Sequence, residues 1–386
     1  MHICFLCNEY PPAQHGGIGS FTQTLARELV RHGHNVSSVG LYPIRSEVVE
    51  DDQGVSVVRV PQGRLPNFRV AMNYIRLQRA LRRLHRRRPI DVLEGAERAF
   101  FLVSPRFPVP KIIRMHGGHV FFRVTLGGTP EKQKVIEERR SFRVATHLCA
   151  VSRFVGETTR SRLGLGARPI RVILNPVDLR IFYPRDPALE QDGLIVYVGT
   201  IIEKKGIRQL VDAMPQVVAQ CPSARLIAYG NDTVDPATGE SFTEVLQRRI
   251  PPDLAGRITF AGPVRRELLP ELIAKASVCI YPSHMEALPI AWVEGLAMGK
   301  AVVASQTGPG VEVVEDGVSG ILFDPHNPDS IAAALLRVLP DPALRARLGA
   351  AARARAERLF SLEKLVHENV AFYQECAGDP ARPAPR

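Results

Sequence analysis

Residues 281–324 read YPSHMEALPIAWVEGLAMGKAVVASQTGPGVEVVEDGVSGILFD, and this stretch decides the fold. It begins inside a β-branched and aromatic run, 278–283 (VCIYPS), that is typical of a buried strand. A loop with Glu286 follows, and Pro289 then opens an apolar pattern of helical period. Glu286 is therefore expected just before a helix, and Glu294 inside it.

A second strand pattern and a glycine turn follow this helix. KAVVAS at 300–305 predicts a buried strand, and TGPG at 307–310 predicts a turn that lets a ligand approach closely. Strand, helix and strand form a βαβ unit, and sheets built from such units bind ligands beyond the carboxyl ends of their strands. We therefore expect a doubly wound α/β fold, with the loops of Glu286 and Gly308 at one binding edge.

The residue types at this edge indicate the kind of ligand. The helix start around Leu288, Pro289 and Ile290 favours a diphosphate, because the first amide groups of a helix and its dipole attract anions. The carboxylates of Glu286 and Glu294 repel phosphate but can accept hydrogen bonds from hydroxyl groups. The combination indicates a ligand that contains both phosphates and sugars.

This stretch resembles the donor site of the GT-B glycosyltransferases of family 4 (glycosyl transferases group 1). The resemblance rests on Glu286 and Glu294, eight positions apart, and on the strings EGLAMGKAVVAS, TGPGVEVV and DGVSGILF. It implies two Rossmann-like domains that face a central cleft, and a retaining reaction with a nucleoside-diphosphate sugar. It also implies that Glu294 holds the nucleotide ribose and Glu286 the transferred sugar. Taken singly, the two glutamates would be a surface loop residue and a helix-face residue.

The length predicts two domains, because 386 residues exceed what one ordinary core accommodates. We expect an N-terminal Rossmann-like acceptor domain over 1–183, a linker over 184–193 and a donor domain over 194–360. By resemblance, a last helix over 361–376 packs back on the first domain. Residues 377–386 are predicted to be a disordered tail.

The cysteines and the N-terminus indicate a cytoplasmic protein. The six cysteines are scattered, mostly in apolar runs, so we interpret them as reduced core thiols. The start MHICFLCNEYPP has neither a charged leader nor a cleavage site, and no run of about 18 apolar residues predicts a membrane span.

The positive charge is concentrated in the first half of the chain. Residues 1–185 carry 30 Lys and Arg against 14 Asp and Glu, whereas the remainder carries 20 against 25. Between Arg69 and Arg88 a helical pattern holds eight arginines and one histidine. One interpretation is a solvated helix; the other is a cationic face that lies on an anionic membrane surface. A nucleic-acid partner is not expected, because no aromatic residues interleave with the arginines in a known module. The apolar stripe of this helix is Val70, Tyr74, Leu77, Leu81 and Leu84.

A glycine loop follows the first predicted strand. It contains Gly16 and Gly17 and leads into a helix from about Ser20 to Arg31. Glycines at a helix start let the backbone approach an anion, although a tight turn alone would explain them. The string EYPP…GGIG resembles the corresponding family loop, which implies contact with the donor phosphates and the acceptor.

Three more first-domain residues are site candidates. His116 follows the strand pattern KIIRM and begins HGGH, and the resemblance implies that it contacts the donor sugar. Ser152 ends its strand pattern as in the family and is a candidate for contact with acceptor or donor. Asn175 begins NPVD, which resembles the family's NGVD turn with Pro176 in place of glycine, and we place it on the acceptor side.

The second domain opens with LIVYVGTIIEKKG, which holds the expected cation. The family pairs an arginine directly after the glycine with a lysine five residues later, and together they neutralise the diphosphate. Lys205 matches the lysine, but Thr200 stands where the arginine is expected. Lys204, or an arginine of the first domain, is expected to compensate for the missing charge.

These features predict a glycosyltransferase that needs no metal ion or other cofactor, with His116, Lys205 and Glu286 as its catalytic residues. No D-x-D motif is present to hold a metal ion on the diphosphate. The expected acceptor is a saccharide or a lipid-linked saccharide, in glycan, glycolipid or exopolysaccharide synthesis. Two alternatives are a nucleotide-sugar epimerase of GT-B shape and a non-catalytic protein that binds sugar nucleotides or a membrane surface.

Overall fold

The computed structural model describes residues 1–13 and 16–379 and divides the chain into two units. Met1–Pro176 and the segment from Leu362 onward form the first unit, and Val177–Ser361 forms the second. The boundary therefore lies at Pro176 rather than at the expected residue 183. Residues 380–386 of the predicted tail lie outside the described residues.

The predicted linker, 184–193, belongs to the second unit. The carboxylate of Glu190 accepts hydrogen bonds from Lys300 Nζ and Arg345 Nε, both at 3.0 Å. The backbone N–H of Gln191 donates to the carbonyl of Lys275 at 2.9 Å. These contacts fix the segment on the second unit, so it is not a free connection.

The first unit is built on a sheet that is parallel except at one edge. Among the described residues its strand order is β3-β4-β2-β1-β5-β6-β7-β8, and only β3 runs antiparallel to its neighbour. The strands are β1 (His2–Leu6), β2 (Asn35–Tyr42), β3 (Val48–Asp52), β4 (Val55–Pro61), β5 (Val92–Gly95), β6 (Lys111–Met115), β7 (His147–Ala150) and β8 (Arg171–Val172).

Helices connect the parallel strands of this sheet, as expected for a doubly wound fold. They are α1 (Gly17–Arg31), α2 (Arg69–Arg87), α3 (His119–Thr125), α4 (Lys132–Val144) and α5 (Arg153–Leu163).

The second unit has a wholly parallel sheet with strand order β11-β10-β9-β12-β13-β14. Its strands are β9 (Leu194–Val198), β10 (Arg225–Tyr229), β11 (Ile258–Gly262), β12 (Val278–Tyr281), β13 (Ala301–Ser305) and β14 (Ile321–Phe323). Its helices are α6 (Ile207–Gln220), α7 (Phe242–Gln247), α8 (Leu269–Ala274), α9 (Ile290–Ala297), α10 (Gly310–Val313), α11 (Pro328–Val338) and α12 (Pro342–Phe360). The last helix of the chain, α13 (Leu362–Gly378), returns to the first unit.

The apolar strands explain the core of each unit. All residues of β12 and β13 are buried, as their apolar side chains predict for parallel strands covered on both faces. The predicted doubly wound α/β class is confirmed.

Several element bounds differ from the sequence prediction. Helix α9 begins at Ile290, so Pro289 is the residue that precedes it and not its first helical residue. Helix α1 begins at Gly17, three residues before the predicted Ser20. Helix α13 extends to Gly378, into the predicted tail.

The stripe predicted for α2 faces the core only in part. Leu77 and Leu81 are buried, but Val70 is 54% exposed. The N-terminal turns of α2 therefore present apolar surface to solvent. No helix in the described part of the chain combines the length and the apolar character needed to cross a membrane.

Candidate active site

The turn after β9 and the loop after β12 bring Lys205 and Glu286 together. Lys205 ends a 3₁₀ turn, Glu203–Lys205, and Glu286 lies in the loop after β12. The two segments are joined by a hydrogen bond of 2.9 Å from the His284 N–H to the Lys204 carbonyl. Both follow carboxyl ends of parallel strands, which is where sheets of this kind bind ligands.

Gly206 allows this close approach. Its φ is +67°, and a Cβ there would lie 1.8 Å from the carbonyl oxygen of Pro282. Any side chain at this position would push the lysine turn away from the end of β12. Lys205 is thus held against the loop of Glu286 by backbone packing.

Lys205 Nζ forms an ion pair with Glu286 Oε1, and Ser283 Oγ donates to the same oxygen at 2.7 Å. The Glu286 side chain is 9% exposed and that of Lys205 is 22% exposed. Burial alone would raise the pKa of Glu286, but the charges of Lys205 and Lys204 outweigh it and bring the pKa below its ordinary value. Glu286 is therefore an ionised hydrogen-bond acceptor beside a cation.

The position of the missing arginine holds no cation of its own. Thr200 is exposed, and its carbonyl accepts a hydrogen bond from the Tyr197 hydroxyl at 2.9 Å. Lys204 lies in the same turn as Lys205 and acts electrostatically on Glu286. Two adjacent lysines therefore supply the positive charge here.

Glu294 is buried and paired with an arginine that sequence reasoning missed. Arg266 Nη2 donates to Glu294 Oε1 at 2.7 Å, and the Glu294 side chain is 5% exposed. Burial raises the pKa of Glu294, and the charge of Arg266 partly opposes this shift.

Each of the two carboxylates has a buried tyrosine within its electrostatic range. Burial raises the pKa of both hydroxyls, and Glu286 adds to the shift at Tyr197 while Glu294 adds to the shift at Tyr281. Tyr281 is also within electrostatic range of Tyr197. Glu286 lies in the loop after β12 and Glu294 in the helix that follows this loop, so both carboxylates belong to the connection that starts at the carboxyl end of β12.

The glycine turn after β13 lies against the Glu286 loop. Gly308 has φ +60°, and a Cβ there would lie 2.9 Å from Met285 Sδ and 3.5 Å from the carbonyl oxygen of Glu286. Thr307 Oγ1 donates to the carbonyl of His284 at 2.8 Å and so ties the two loops together. The structure brings Gly308 and Glu286 to the same edge, as their positions in the sequence predict.

The start of α9 lies beside this loop. Leu288 and Pro289 are buried, and Ile290 is partly exposed. No side chain in the described part of the chain caps the helix start. The first N–H groups of a helix have no intrahelical acceptor, so this end can bind an anion.

The first unit has its own group of candidates, centred on His116. His116 directly follows β6, and its ring lies 4.8 Å from that of Phe21. Burial and the nearby Arg114 lower the pKa of His116 to about 3, so the imidazole is neutral at physiological pH. Among the described residues its ring nitrogens have no hydrogen-bond partner, which leaves them available to a ligand hydroxyl.

Two buried glutamates that the sequence prediction missed support the His116 loop. The carboxylate of Glu138 accepts hydrogen bonds from the backbone N–H groups of His119 and Val120. Glu97 is 3% exposed, and its burial raises its pKa to about 8. A Cβ at Gly118 would lie 2.5 Å from Glu138 Oε1 and 3.0 Å from the Glu97 side chain, so a larger residue would displace these two side chains.

The glycine loop before α1 already holds a carboxylate. Glu9 Oε1 accepts hydrogen bonds from the N–H groups of Gly16 at 3.3 Å and Gly19 at 2.7 Å. Gly17 is the first residue of α1. An anionic ligand would therefore have to share this helix start with Glu9, which the sequence prediction did not anticipate.

Ser152 and Asn175 are buried in the first unit, at 0% and 4% exposure. Ser152 Oγ accepts a hydrogen bond from the Val155 N–H at 3.2 Å and caps α5. Helix capping thus explains Ser152 without a substrate. In the part of the chain that the structure describes, no group of three His, Cys, Asp or Glu side chains is placed to hold a metal ion.

Comparison with known families agrees with this arrangement. Residues 15–181 match the family described as Glycosyltransferase Family 4, and residues 181–355 match the family described as Glycosyl transferases group 1. The chain belongs to the GT-B glycosyltransferases of family 4, as its motifs predict. It is therefore a transferase.

The relatives include proteins of different specificity. A D-inositol 3-phosphate glycosyltransferase of Nocardiopsis dassonvillei is 29% identical over 95% of this chain and 91% of its own length. The structure of a sucrose-phosphate synthase from Thermosynechococcus elongatus is similar with a TM-score of 0.83, at 21% identity over 97% of this chain and 98% of its own. An Anabaena protein solved with UDP-glucose has a TM-score of 0.74, at 18% identity over 97% of this chain and 100% of its own. These likenesses confirm the GT-B fold.

Proposed function

We propose that the chain is a retaining glycosyltransferase that moves a hexose from a nucleoside-diphosphate sugar to a saccharide or lipid-linked saccharide acceptor. The observation that carries the proposal is the contact between Lys205 and Glu286 at the carboxyl edge of the second sheet, near Glu294. A cation beside two buried carboxylates suits a ligand with both phosphates and hydroxyl groups.

The relatives support this choice of ligand. The Anabaena protein was solved with UDP-glucose, and the Nocardiopsis relative is named for transfer to an inositol phosphate. A nucleoside-diphosphate hexose and a hydroxylated acceptor are therefore the substrates to test first.

In the proposed reaction the bond between the anomeric carbon and the diphosphate breaks while an acceptor oxygen bonds to the same face of that carbon. Lys205, Lys204 and the start of α9 stabilise the negative charge that develops on the diphosphate. The departing phosphate oxygen takes the proton of the acceptor hydroxyl, so no separate base is needed. Glu286 orients the sugar hydroxyls and Glu294 those of the ribose.

We propose that the lysines make a metal ion unnecessary. Two ammonium groups supply the charge that a divalent cation supplies in other glycosyl transfers. Turnover should then persist in a chelating buffer, whereas loss of turnover that Mg²⁺ restores would contradict this part of the proposal.

A direct test has two steps. A thermal-shift screen of nucleoside diphosphates identifies the base, because a ligand at a hundred times its Kd stabilises by about 2.7 kcal/mol. Transfer is then followed with the matching sugar nucleotides, and NMR of the product reports the anomeric configuration. We expect retention, and a loss of turnover of about a hundredfold or more for Lys205→Ala, because it removes charge stabilisation of the leaving group.

The control is Lys275→Ala. It removes an exposed lysine of the second unit that does not lie at the carboxyl edge of the second sheet. Product with inverted configuration would contradict the mechanism. Interconversion of sugar nucleotides without an acceptor would indicate an epimerase. Ligand binding without turnover in the parent protein would indicate a non-catalytic binding protein.

We further propose that the N-terminal end of α2 contacts an anionic membrane surface. Leu65, Phe68, Val70 and Ile75 are 46–64% exposed. Leu65 and Phe68 lie in the segment that leads into the arginine-rich helix α2, and Val70 and Ile75 lie in its first two turns. Exposed apolar side chains beside cations suit a membrane that carries anionic lipids.

Vesicle co-sedimentation tests this contact. Phe68→Ser should weaken binding to anionic vesicles, whereas Ile136→Ser, which removes an equally exposed apolar residue of α4, should not. Equal binding to neutral and anionic vesicles would contradict the proposal.

A further inference from the structure

A cation-rich pocket lies in the first unit, apart from the candidate site residues described above. It has a volume of about 290 Å³ and is lined by residues of α2 and of the loop before β6. Its lining includes Gln78, Arg82, His85, Arg86, Arg106 and Phe107.

The topology separates this pocket from the catalytic edge of the same sheet. Arg82 and Arg86 lie in the last turns of α2, shortly before β5 begins at Val92. Arg106 lies shortly before β6 begins at Lys111. Both segments therefore reach the amino ends of their strands. His116 follows β6 at the carboxyl end of the sheet, so the pocket lies at the opposite edge.

A buried lysine holds the loop that forms one wall. Lys111 is 2% exposed, and its Nζ donates to the carbonyls of Phe107 at 2.7 Å and Val109 at 3.0 Å. The ring of Phe107 packs against that of His85 with centroids 5.6 Å apart. The loop is thus fixed in place before any ligand binds.

The arginines of the pocket lack carboxylate partners among the described residues. In the described chain no carboxylate pairs with Arg82, Arg86 or Arg106, whereas the neighbouring Arg83 forms an ion pair with Glu47. Three guanidinium groups from two segments thus surround one pocket, and guanidinium groups bind phosphate oxygens in a bidentate manner.

His85 and Gln78 add one donor and one acceptor. His85 Nδ1 accepts a hydrogen bond from the Ile90 N–H at 3.0 Å, so the hydrogen of the neutral ring is on Nε2. Gln78 is 5% exposed, and its Nε2 donates to the Leu102 carbonyl at 2.9 Å. Its amide oxygen has no partner within the described chain. A hydroxyl group or a water bound in the pocket would satisfy this oxygen.

We propose that this pocket is a binding site for a phosphate ester of a small polyol, separate from the glycosyl-transfer site. Arg82, Arg86 and Arg106 bind the phosphate, and His85 Nε2 donates to it. A hydroxyl group of the polyol hydrogen-bonds near Gln78. The volume is near the lower end for small-molecule sites, about 300 Å³, which suits a ligand of this size. The inference does not depend on the proposed reaction.

The phosphate ester can be a soluble molecule or the headgroup of a lipid, and the experiment distinguishes these two ligands. Calorimetric titration of the full-length protein with glycerol 3-phosphate tests a soluble ester. Co-sedimentation with phosphatidylcholine vesicles, with and without phosphatidic acid, tests a lipid headgroup. Arg82→Gln and Arg106→Gln remove one guanidinium each from the two walls. Arg79→Gln is the matched control, because Arg79 is an exposed arginine of the same helix that does not line the pocket.

We expect Arg82→Gln and Arg106→Gln each to weaken binding about tenfold or more, and Arg79→Gln to change it less than about twofold. Thermal unfolding of the variants should match the parent, since all three side chains are exposed. Binding of glycerol 3-phosphate with this pattern assigns a soluble ligand, and the same pattern with vesicles alone assigns a lipid. Equal weakening by Arg79→Gln, or no binding in either arm, would overturn the proposal.

Discussion

Arg266 determines how readily the buried carboxyl of Glu294 ionises. Burial raises the pKa of Glu294, and the charge of Arg266 is the opposing influence. Arg266→Met should therefore raise the pKa of Glu294 further. A protonated carboxyl is a poorer acceptor for two ribose hydroxyls, so nucleotide affinity should fall as the pH is lowered from about pH 8 to pH 6.

The measurement is the Kd of the nucleoside diphosphate for variant and parent at both pH values. The ratio of the two constants cancels the titration of the ligand itself. Arg266→Lys should restore most of the affinity because it keeps the charge. If the ratio is the same at both pH values, Arg266 does not act through the ionisation of Glu294.

Glu97 should make the protein less stable as the pH rises. Its pKa is raised from 4.5 to about 8 by burial. Between these values the folded state keeps a proton that the unfolded state releases, so the free energy of unfolding falls with increasing pH. Glu97→Gln stays neutral and should remove this loss, which is on the order of a few kcal/mol.

The check is the midpoint of urea unfolding for Glu97→Gln and parent between about pH 5 and pH 8. The two proteins should be similar at the lower pH, and the variant should be the more stable at the higher pH. Parallel curves would show that the carboxyl of Glu97 is ionised in the folded protein.

At the scale of single residues, the sequence predicted the residues that belong to a motif. It missed the residues that hold these motif residues in place or change their pKa. Lys205 and Glu286 have fixed positions after strand patterns, so their convergence follows from the topology. Arg266 lies 28 positions from Glu294, and no periodicity connects them. The burial that raises the pKa of Glu97 likewise depends on packing that a pattern does not contain.

Helix α1 offers a test of the glycine loop at the scale of an element. A Cβ at Gly17 would meet no atom of the described residues within 4 Å. Gly17→Ala should therefore fold normally, with stability unchanged or raised by about 0.4–1 kcal/mol. If the donor diphosphate approaches this loop, the new methyl group should block it, and KM for the donor should rise about tenfold.

Gly164→Ala in the first unit is not a suitable control, because φ there is +66° and the substitution is strained. Gly256→Ala is suitable, since it also meets open space and lies in the second unit outside the site. An unchanged KM for Gly17→Ala would place the donor elsewhere.

The sequence predicted those elements whose side chains are buried. Strand β13 is a short apolar run, and it formed close to its predicted bounds, 300–305. Strand β3 was missed because it is an edge strand, VVEDD, whose side chains are largely exposed. Helix α8 begins at Leu269, because Pro270 fits only the first turn of a helix.

At the scale of the whole molecule, the return of the chain to its first unit is held by a buried polar network. Arg114 and Glu94, on neighbouring strands, form an ion pair at 2.8 Å. From α13, Asn369 accepts a hydrogen bond from Arg114, and the Tyr373 hydroxyl donates to Glu94 Oε2 at 2.8 Å. The amphipathic pattern of α13 predicts a helix but not which unit it joins, so the sequence supplied this connection only through the family resemblance.

This network predicts that a change in the last helix loosens the centre of the first sheet. Tyr373→Phe removes one hydrogen bond to a buried charge, which should destabilise the first unit by about 1.5–3 kcal/mol. Hydrogen exchange of backbone amides in β5 and β6 should become faster, while that of β12 and β13 stays unchanged, because exchange reports stability locally. Tyr229→Phe is the matched control in the second unit, since the Tyr229 hydroxyl has no hydrogen-bond partner among the described residues. Equal acceleration in both sheets would mean that the two units unfold together, and no acceleration would mean that Arg114 alone satisfies Glu94.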